Sequence, residues 1–206
     1  MTTTHLDPNS PWVLDVRTLG RRPGSYKPVT LDVPVDEPIG LPVIAVPAGG
    51  NVRLALRLES VTEGVLVSGT ASATAEGECA RCLEPVKENV SAKLRELYAY
   101  PGSTTDETTD DDELPRVQDD LIDLRPLVVD ELTLAMPMVP LCSDDCLGLC
   151  SECGVRLADA EPGHSHEILD PRWAALAEKF GTEGNAAEQQ TPRSDRDSDP
   201  SRTRPE

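Results

Sequence analysis

The sequence predicts an α+β fold in which an antiparallel β-meander precedes two short helices and a cysteine-rich segment of the zinc-knuckle type, between flexible tails. Three observations lead to this prediction. Apolar and polar residues alternate along successive segments, helix-capping residues flank two later apolar segments, and six cysteines fall into two short clusters. A chain of 206 residues can form one domain, or one domain with a small satellite.

Three strands with short connections form the predicted meander. Residues 52–59 alternate strictly between aliphatic and polar side chains, which is typical of a half-buried strand. Residues 65–75 are small and β-branched, and residues 86–100 alternate again. Residues 12–19 and 28–35 are expected to add edge strands. We expect little regular structure around the prolines at positions 34, 38, 42 and 47.

Two helices are predicted after the meander. Asp123 can cap a helix that runs through Ala135, because Pro126 is tolerated in a first turn and Pro137 stops the helix. The buried stripe of this helix is predicted to consist of Val128, Leu132 and Ala135. A second short helix is predicted over residues 170–180, where Asp170 supplies the cap.

Polar segments bound the predicted domain, which covers residues 12–180. Residues 1–11 and 181–206 contain too little apolar surface to fold, so we expect two disordered tails. Residues 103–120 carry eight acidic residues against the single Arg116. Like-charge repulsion should keep this acidic loop extended, flexible and solvated.

The cysteines have the spacing of metal ligands. Cys79 and Cys82 form a CxxC pair at the expected hairpin tip between the second and third strands. The segment 142–166 holds the other candidate ligands, which are Cys142, Cys146, Cys150, Cys153, His164 and His166. Zinc prefers four thiolate or imidazole ligands in a tetrahedron, and eight candidates are enough for two such sites.

Two partitions of these ligands are open. In the first, Cys79 and Cys82 share one zinc ion with Cys142 and Cys146. The remaining cysteines and the two histidines then form a second site. In the alternative, the two CxxC turns share a single zinc ion, whose ligands are Cys79, Cys82, Cys150 and Cys153. In either case we expect structural zinc, because a closed tetrahedral site leaves no position for a reactive water.

No catalytic motif is visible in the sequence: GxGxxG, Walker, HExxH and GxSxG patterns are all absent. We therefore expect a protein that is not an enzyme. No apolar segment is long enough for a membrane helix, and the first residues do not resemble a signal peptide. These features predict a cytoplasmic protein without a membrane partner, and they favour thiols over disulfides.

The charge balance indicates which kind of binding partner to expect. Nineteen basic residues against 37 acidic ones give a formal net charge of −18, which argues against binding nucleic acid through overall positive charge. Such a chain is better suited to a basic protein partner. One local exception is a basic stretch that could touch RNA phosphates together with the CxxC arginine. These candidate RNA contacts are Arg17, Arg21, Arg22, Lys27 and Arg81.

The order of these features resembles the YceD family. The resemblance is carried by the segment from Cys79 through Cys82 to Pro85, by the helix around residues 122–131, and by residues 134–142, 145–154 and 170–176. It implies a factor that supports accumulation of the 23S ribosomal RNA of the large subunit. Genes of such proteins often neighbour one for a small ribosomal protein of the same subunit.

The resemblance also bears on the metal ligands. In similar relatives the position of His164 and His166 is often Cys-x-Cys, which makes these histidines substitute ligands. Leaner members keep only the first cysteine pair and a pair corresponding to Cys142 and Cys146. The resemblance therefore favours two sites.

Together, these observations predict a non-enzymatic ribosome biogenesis factor that supports synthesis, processing or stability of 23S rRNA. It would act by holding a basic ribosomal protein or a large-subunit assembly factor, with rRNA as a further contact in the assembling particle. The alternative is an enzyme, or a nuclease cofactor, that processes the rRNA precursor.

Overall fold

The computed structural model describes residues 5–108 and 114–166. The chain divides into two compact units, residues 1–161 and 162–206, and all described strands and helices lie in the first. The strands are β1 Val13–Asp15, β2 Tyr26–Pro34, β3 Ile39–Leu41, β4 Ile44–Val46, β5 Asn51–Ser60, β6 Gly64–Glu78, β7 Pro85–Ala99 and β8 Leu121–Asp123. The helices are α1 Thr104–Thr108 and α2 Arg125–Ala135.

Strands β5, β6 and β7 form the predicted antiparallel meander. Strand β6 lies in the centre, pairing Ala73 with Val52 of β5 and Ala71 with Ala92 of β7. Because successive side chains alternate between the two faces of a strand, this register places most of the aliphatic residues of the three strands on one face. These aliphatic residues are buried. The α+β fold class predicted from the sequence is confirmed.

The edge-strand predictions are confirmed in part. Strand β2 pairs along its whole length with β5, as expected for residues 28–35. Residues 12–19 do not form one strand of this sheet. Only β1 is extended, it pairs with β8 in a separate two-stranded sheet, and Arg17–Leu19 is a 3-10 helix. The prediction failed there because the partner, β8, has only three residues and carries no alternation signal.

The proline-rich segment contains regular structure that the sequence did not predict. Strands β3 and β4 form a hairpin, and β4 continues onto β6 through Ile44 and Ala45. Pro38 and Pro47 flank the hairpin and Pro42 lies in its turn. No proline therefore has to donate a hydrogen bond within this hairpin, and the expected disruption does not occur.

Helix α2 forms close to the predicted bounds. The N-cap is Leu124, one residue after the predicted Asp123, and no side chain caps the helix there; the Asp123 carboxylate still accepts a hydrogen bond from the Arg125 N–H at 2.9 Å. The buried side chains are Leu127, Val128 and Leu132. The inclusion of Ala135 in the buried stripe was wrong: Ala135 is exposed, and the next residue, Met136, is buried instead.

The acidic segment 103–120 is not extended throughout. Residues Thr104–Thr108 form α1. The Val117 side chain is buried, and the Val117 N–H donates to the Ala99 carbonyl at 2.9 Å. Arg116 pairs with Asp106, which reduces the like-charge repulsion on which the expectation of an extended loop was based. Residues 109–113 lie outside the described residues, as do the predicted helix 170–180 and the C-terminal tail.

Among the described residues the core is aliphatic, as the composition predicts, apart from two buried aromatic side chains, Trp12 and Tyr98. Burial raises the pKa of the Tyr98 hydroxyl well above its ordinary value, so the group stays protonated. It donates to the Asp123 carbonyl at 2.9 Å and thereby connects β7 to the start of α2. None of the helices in the described part of the chain could cross a membrane.

Candidate metal centre

The first cysteine pair lies in the connection between β6 and β7. The Cys79 N–H donates to the Glu84 carbonyl at 2.8 Å, and the Leu83 N–H donates to the Cys79 carbonyl at 2.9 Å. Leu83 has a φ of 62°, the left-handed conformation that closes this tight turn. Both cysteine side chains are buried. The hairpin therefore holds its two sulfur atoms at the end of the core.

The loop after α2 brings the second pair to the same place. The Ala80 N–H donates to the Pro140 carbonyl at 2.8 Å, which joins the loop to the first turn just before Cys142. The Cys146 N–H donates to the Ser143 carbonyl at 3.2 Å and forms a second turn. Cys142 is exposed and Cys146 is half-buried. One side of the cluster therefore faces solvent.

The four sulfur atoms of Cys79, Cys82, Cys142 and Cys146 lie within 4.8 Å of one another. The Cys79 and Cys146 sulfurs are 3.8 Å apart, and those of Cys82 and Cys142 are 3.5 Å apart. These separations exceed a disulfide bond. They agree with a zinc tetrahedron, in which Zn–S bonds of about 2.3 Å put the sulfurs about 3.8 Å from each other. The cluster, which we call the four-cysteine site, could bind a metal ion.

The surroundings of the four-cysteine site favour thiolate at one position. Burial raises the pKa of Cys79, but backbone hydrogen bonds at Cys142, Arg81 and Cys82 oppose it and lower that pKa to about 6. At Cys146, burial raises the pKa of the thiol. A second thiolate beside the first is costly without a cation, because like charges repel. A divalent metal ion would remove that cost.

Arg81, which the sequence suggested as an RNA contact, is directed at the loop of the four-cysteine site. Its Nη1 donates to the Cys146 carbonyl at 3.0 Å and to the Asp144 carbonyl at 3.4 Å. Its own carbonyl accepts from the Leu149 N–H at 3.1 Å. The side chain therefore positions a segment that carries a candidate ligand, and nothing in the CxxC motif predicted this role.

Cys150 and Cys153 lie in a third turn. The Gly154 N–H donates to the Cys150 carbonyl at 2.9 Å, and the Cys150 N–H donates to the Val155 carbonyl at 2.8 Å. Arg156, at the end of this turn, forms a salt bridge of 2.9 Å with Glu84 of the first turn. This ion pair ties the two CxxC turns together and is not predictable from the sequence. It left no signal in the spacing of the motifs.

His164 and His166 belong to the second unit. Their Nε2 atoms are 3.0 Å apart and their rings meet edge to face, with centroids 4.7 Å apart. The two imidazoles therefore point to one spot, as an HxH pair on extended chain should. That these histidines share a metal ion with the third turn stays a prediction.

The basic stretch near the N-terminus is largely compensated by other groups. Arg17 pairs with Asp15, and Arg21 pairs with Asp120 at 3.1 Å while lying over the Tyr100 ring. The Lys27 ammonium donates to the Thr18 hydroxyl at 3.0 Å. Arg22 is exposed. The four residues do not form a continuous row of unpaired cations, and their contact with RNA stays a prediction.

Comparison with known proteins adds the family. Residues 67–178, more than half of the chain, match the sequence model of a family described as Large ribosomal RNA subunit accumulation protein YceD. The chain belongs to the YceD family. The matched residues of this YceD-family protein include all eight candidate ligands, from Cys79 to His166.

Several similar proteins come from mycobacteria. An uncharacterised protein of Mycobacterium bovis is 51% identical over 176 residues, which are 85% of this chain and 84% of the relative. An uncharacterised Mycobacterium tuberculosis protein gives the same values. An uncharacterised Mycobacterium leprae protein is 44% identical over 169 residues, covering 82% of this chain and 77% of the relative. No solved structure matches this YceD-family chain.

Proposed function

We propose that this protein is a non-enzymatic biogenesis factor of the large ribosomal subunit that supports the accumulation of 23S rRNA. The observation that carries the proposal is the match to a family described by large-subunit rRNA accumulation. The acidic composition of the chain supports the proposed mechanism, in which a small acidic body holds a basic ribosomal protein or assembly factor near the assembling particle. Ribosome assembly puts this function in the bacterial cytoplasm.

The metal is proposed to be zinc with a structural role. Four cysteine ligands would complete the tetrahedron of the four-cysteine site and leave no position for a reactive water. The ion would tie the β6–β7 turn to the loop after α2. We propose a second zinc site formed by Cys150, Cys153, His164 and His166, on the grounds that thiolate and imidazole are zinc ligands, that the two cysteines share one turn, and that the two Nε2 atoms lie 3.0 Å apart.

A surface beside the four-cysteine site is suited to binding a basic protein partner. A hollow of about 470 Å³ is lined by apolar residues, among them Val43, Leu83 and Met138, and by Glu76 and Glu78. These three apolar side chains are 48%, 59% and 84% exposed. Apolar area beside acidic groups fits a basic segment of a ribosomal protein. We call this surface the acidic hollow.

A pull-down with the full chain tests the acidic hollow. At low salt, the wild-type protein should recover a basic ribosomal protein or assembly factor, and high salt should weaken the recovery. Glu78→Lys should abolish the recovery, because the substitution places a cation where the partner's cation binds. Glu88→Lys is the matched control, since Glu88 is exposed on β7 and does not line the hollow. Equal losses in both variants would contradict the assignment of the hollow.

Depletion in the host tests the function itself. Sedimentation of ribosomal particles should show fewer large subunits and less 23S rRNA after depletion, with restoration by the wild-type gene. Unchanged particles would contradict the proposal. Metal-dependent RNA cleavage by the purified protein, abolished by a chelator, would instead favour an rRNA-processing enzyme.

A further inference from the structure

The face of the main sheet that points away from the core carries positive charge, although the chain as a whole is strongly acidic. Its centre holds two arginines on β5 and a lysine and an arginine on β7. All four residues are exposed, and β6 runs between the two strands. These residues are Arg53, Arg57, Lys93 and Arg95. We call the surface that they form with the residues of β6 between them the outer sheet face.

The strand register brings these cations together. Arg57 pairs with Ser68 of β6, and Ser68 pairs with Arg95 of β7, so the two guanidinium groups start from one row across the sheet. Lys93 is two residues from Arg95 and pairs with Thr70. Lys93 and Arg95 start about 6.8 Å apart along β7, and because β6 lies between β5 and β7, these two strands are about 9.6 Å apart, so the four cations share one region of the sheet.

The charge at the centre of this face is only partly compensated: Arg57 lies 3.4 Å from the Glu59 carboxylate in a solvent-exposed pair. Lys93 and Arg95 form no salt bridge with any residue that the structure describes. Arg53 lies 3.9 Å from Asp32 on the edge strand, and both side chains are more than 60% exposed. Such an exposed pair is weak and leaves the cation available to another anion.

Two further features of this face suit an RNA strand. The Arg57 guanidinium lies 3.9 Å from the centroid of the Tyr26 ring, which is itself 59% exposed, and planar groups of this kind stack on bases. Next to the cations is an open hollow of about 350 Å³. Its polar lining consists of amide and hydroxyl side chains, namely Asn51, Ser72, Thr74, Asn89 and Ser91.

We propose that the outer sheet face binds single-stranded RNA, with the four cations on the phosphates and the amide and hydroxyl side chains on sugars and base edges. The choice of RNA over an acidic protein rests on the proposed function, and the stacking group and the polar hollow support it. The net charge of −18 does not oppose this assignment, because phosphates respond to the local charge of the face.

Binding of a fluorescein-labelled oligouridine to the full chain tests the proposal, with fluorescence anisotropy measured over a series of salt concentrations. Four phosphate contacts should give a slope of log affinity against log salt of about −2.8. The double variant Lys93→Gln/Arg95→Gln should reduce the magnitude of this slope by about 1.4. Its circular dichroism spectrum should stay unchanged, since both side chains are exposed.

The matched control is the double variant Arg202→Gln/Arg204→Gln, which removes the same charge at the same two-residue spacing near the C-terminus and should bind like wild type. Equal weakening in both variants, or no oligouridine binding, would overturn the proposal. Displacement of the RNA from this face by polyglutamate at equal charge concentration would also overturn it and indicate an acidic protein partner. These failures would leave the depletion phenotype intact. If depletion left the ribosomal particles normal, RNA binding by the purified chain could still be measured. Failure of the proposed function and failure of RNA binding can therefore be distinguished.

Discussion

Arg81 lies between two candidate metal ligands, and its contacts define its role. The guanidinium donates to main-chain carbonyls of the loop that carries Cys146, so it fixes the position of a sulfur without contacting that sulfur. Gly148 of the same loop has a φ of 80°, and a Cβ there would come within 3.1 Å of the Arg81 carbonyl. Close approach of the two backbones thus requires glycine at this position.

We predict that Arg81→Ala weakens metal binding without unfolding the protein. Groups that orient ligands typically contribute about 10- to 100-fold to metal affinity, and a loss of this size is expected here. Competition with a chromophoric chelator measures the affinity. Arg22→Ala is the control, because Arg22 is exposed and remote in sequence from the site. An unchanged metal affinity in Arg81→Ala would contradict the positioning role.

The Asp106–Arg116 ion pair predicts a pH dependence of stability. The Arg116 guanidinium lowers the pKa of the Asp106 carboxyl below its ordinary 3.8. A depressed folded-state pKa means that the stabilisation is fully present above pH 3.8 and is lost as the pH falls through the folded-state value. Asp106→Asn should therefore reduce the loss of unfolding free energy between neutral pH and pH 3. Urea titrations at both pH values measure it, and Asp32→Asn on the exposed sheet edge serves as the control.

Helix α2 shows how packing selects one face of an element. The apolar residues of α2 surround much of its circumference, but the sheet covers only one side. Leu132 is completely buried, while Leu134, two residues later, is 80% exposed. Sequence periodicity predicted the helix and most of its buried residues, but it assigned the last position to Ala135 because the bend at Met136 has no periodic signal.

This contrast gives a matched pair of leucines on one helix. Leu132→Ala should lower the free energy of unfolding by about 2–5 kcal/mol, since it removes buried methyl groups and leaves a cavity. Leu134→Ala should change the free energy by less than about 0.5 kcal/mol. Urea denaturation of the two variants measures both values. Similar destabilisation by the two substitutions would mean that α2 packs through a different face.

The first unit of the molecule carries two surfaces of different charge. The acidic hollow lies beside the four-cysteine site, and the outer sheet face carries a positive centre on β5 and β7. The two proposals assign these surfaces to different partners, a basic protein and an RNA strand. A protein with both surfaces could hold a ribosomal protein and rRNA together during assembly.

Measuring the metal content tests the proposed zinc sites, one of which lies beside the acidic hollow. We predict two zinc ions per wild-type chain and one in Cys79→Ser, measured by elemental analysis. Ser143→Ala, within the same loop as Cys142, should keep both ions. Removing zinc with a chelator should lower the Tm by about 10 °C or more, because metal binding contributes directly to folding. One zinc ion in the wild-type protein would contradict the second site and leave the four-cysteine site, and none would contradict metal binding.

The sequence by itself determined the meander, the start of α2 and the set of candidate ligands. Each of these is predicted by a local pattern. The patterns are two-residue alternation for the strands, an aspartate and a proline for the helix start, and cysteine spacing for the ligands. The same signals could not detect β8 or the β3–β4 hairpin, whose strands of three residues are stabilised by partners remote in sequence.

Only the tertiary structure decided which residues meet. It brought Cys79 and Cys82 to Cys142 and Cys146, across about sixty residues of chain, and directed Arg81 at the loop between them. It also aligned the cations of β5 and β7 through a register that no composition records. The physical reason is that side-chain chemistry belongs to single residues, whereas distances between them follow from strand pairing and core packing over the whole domain.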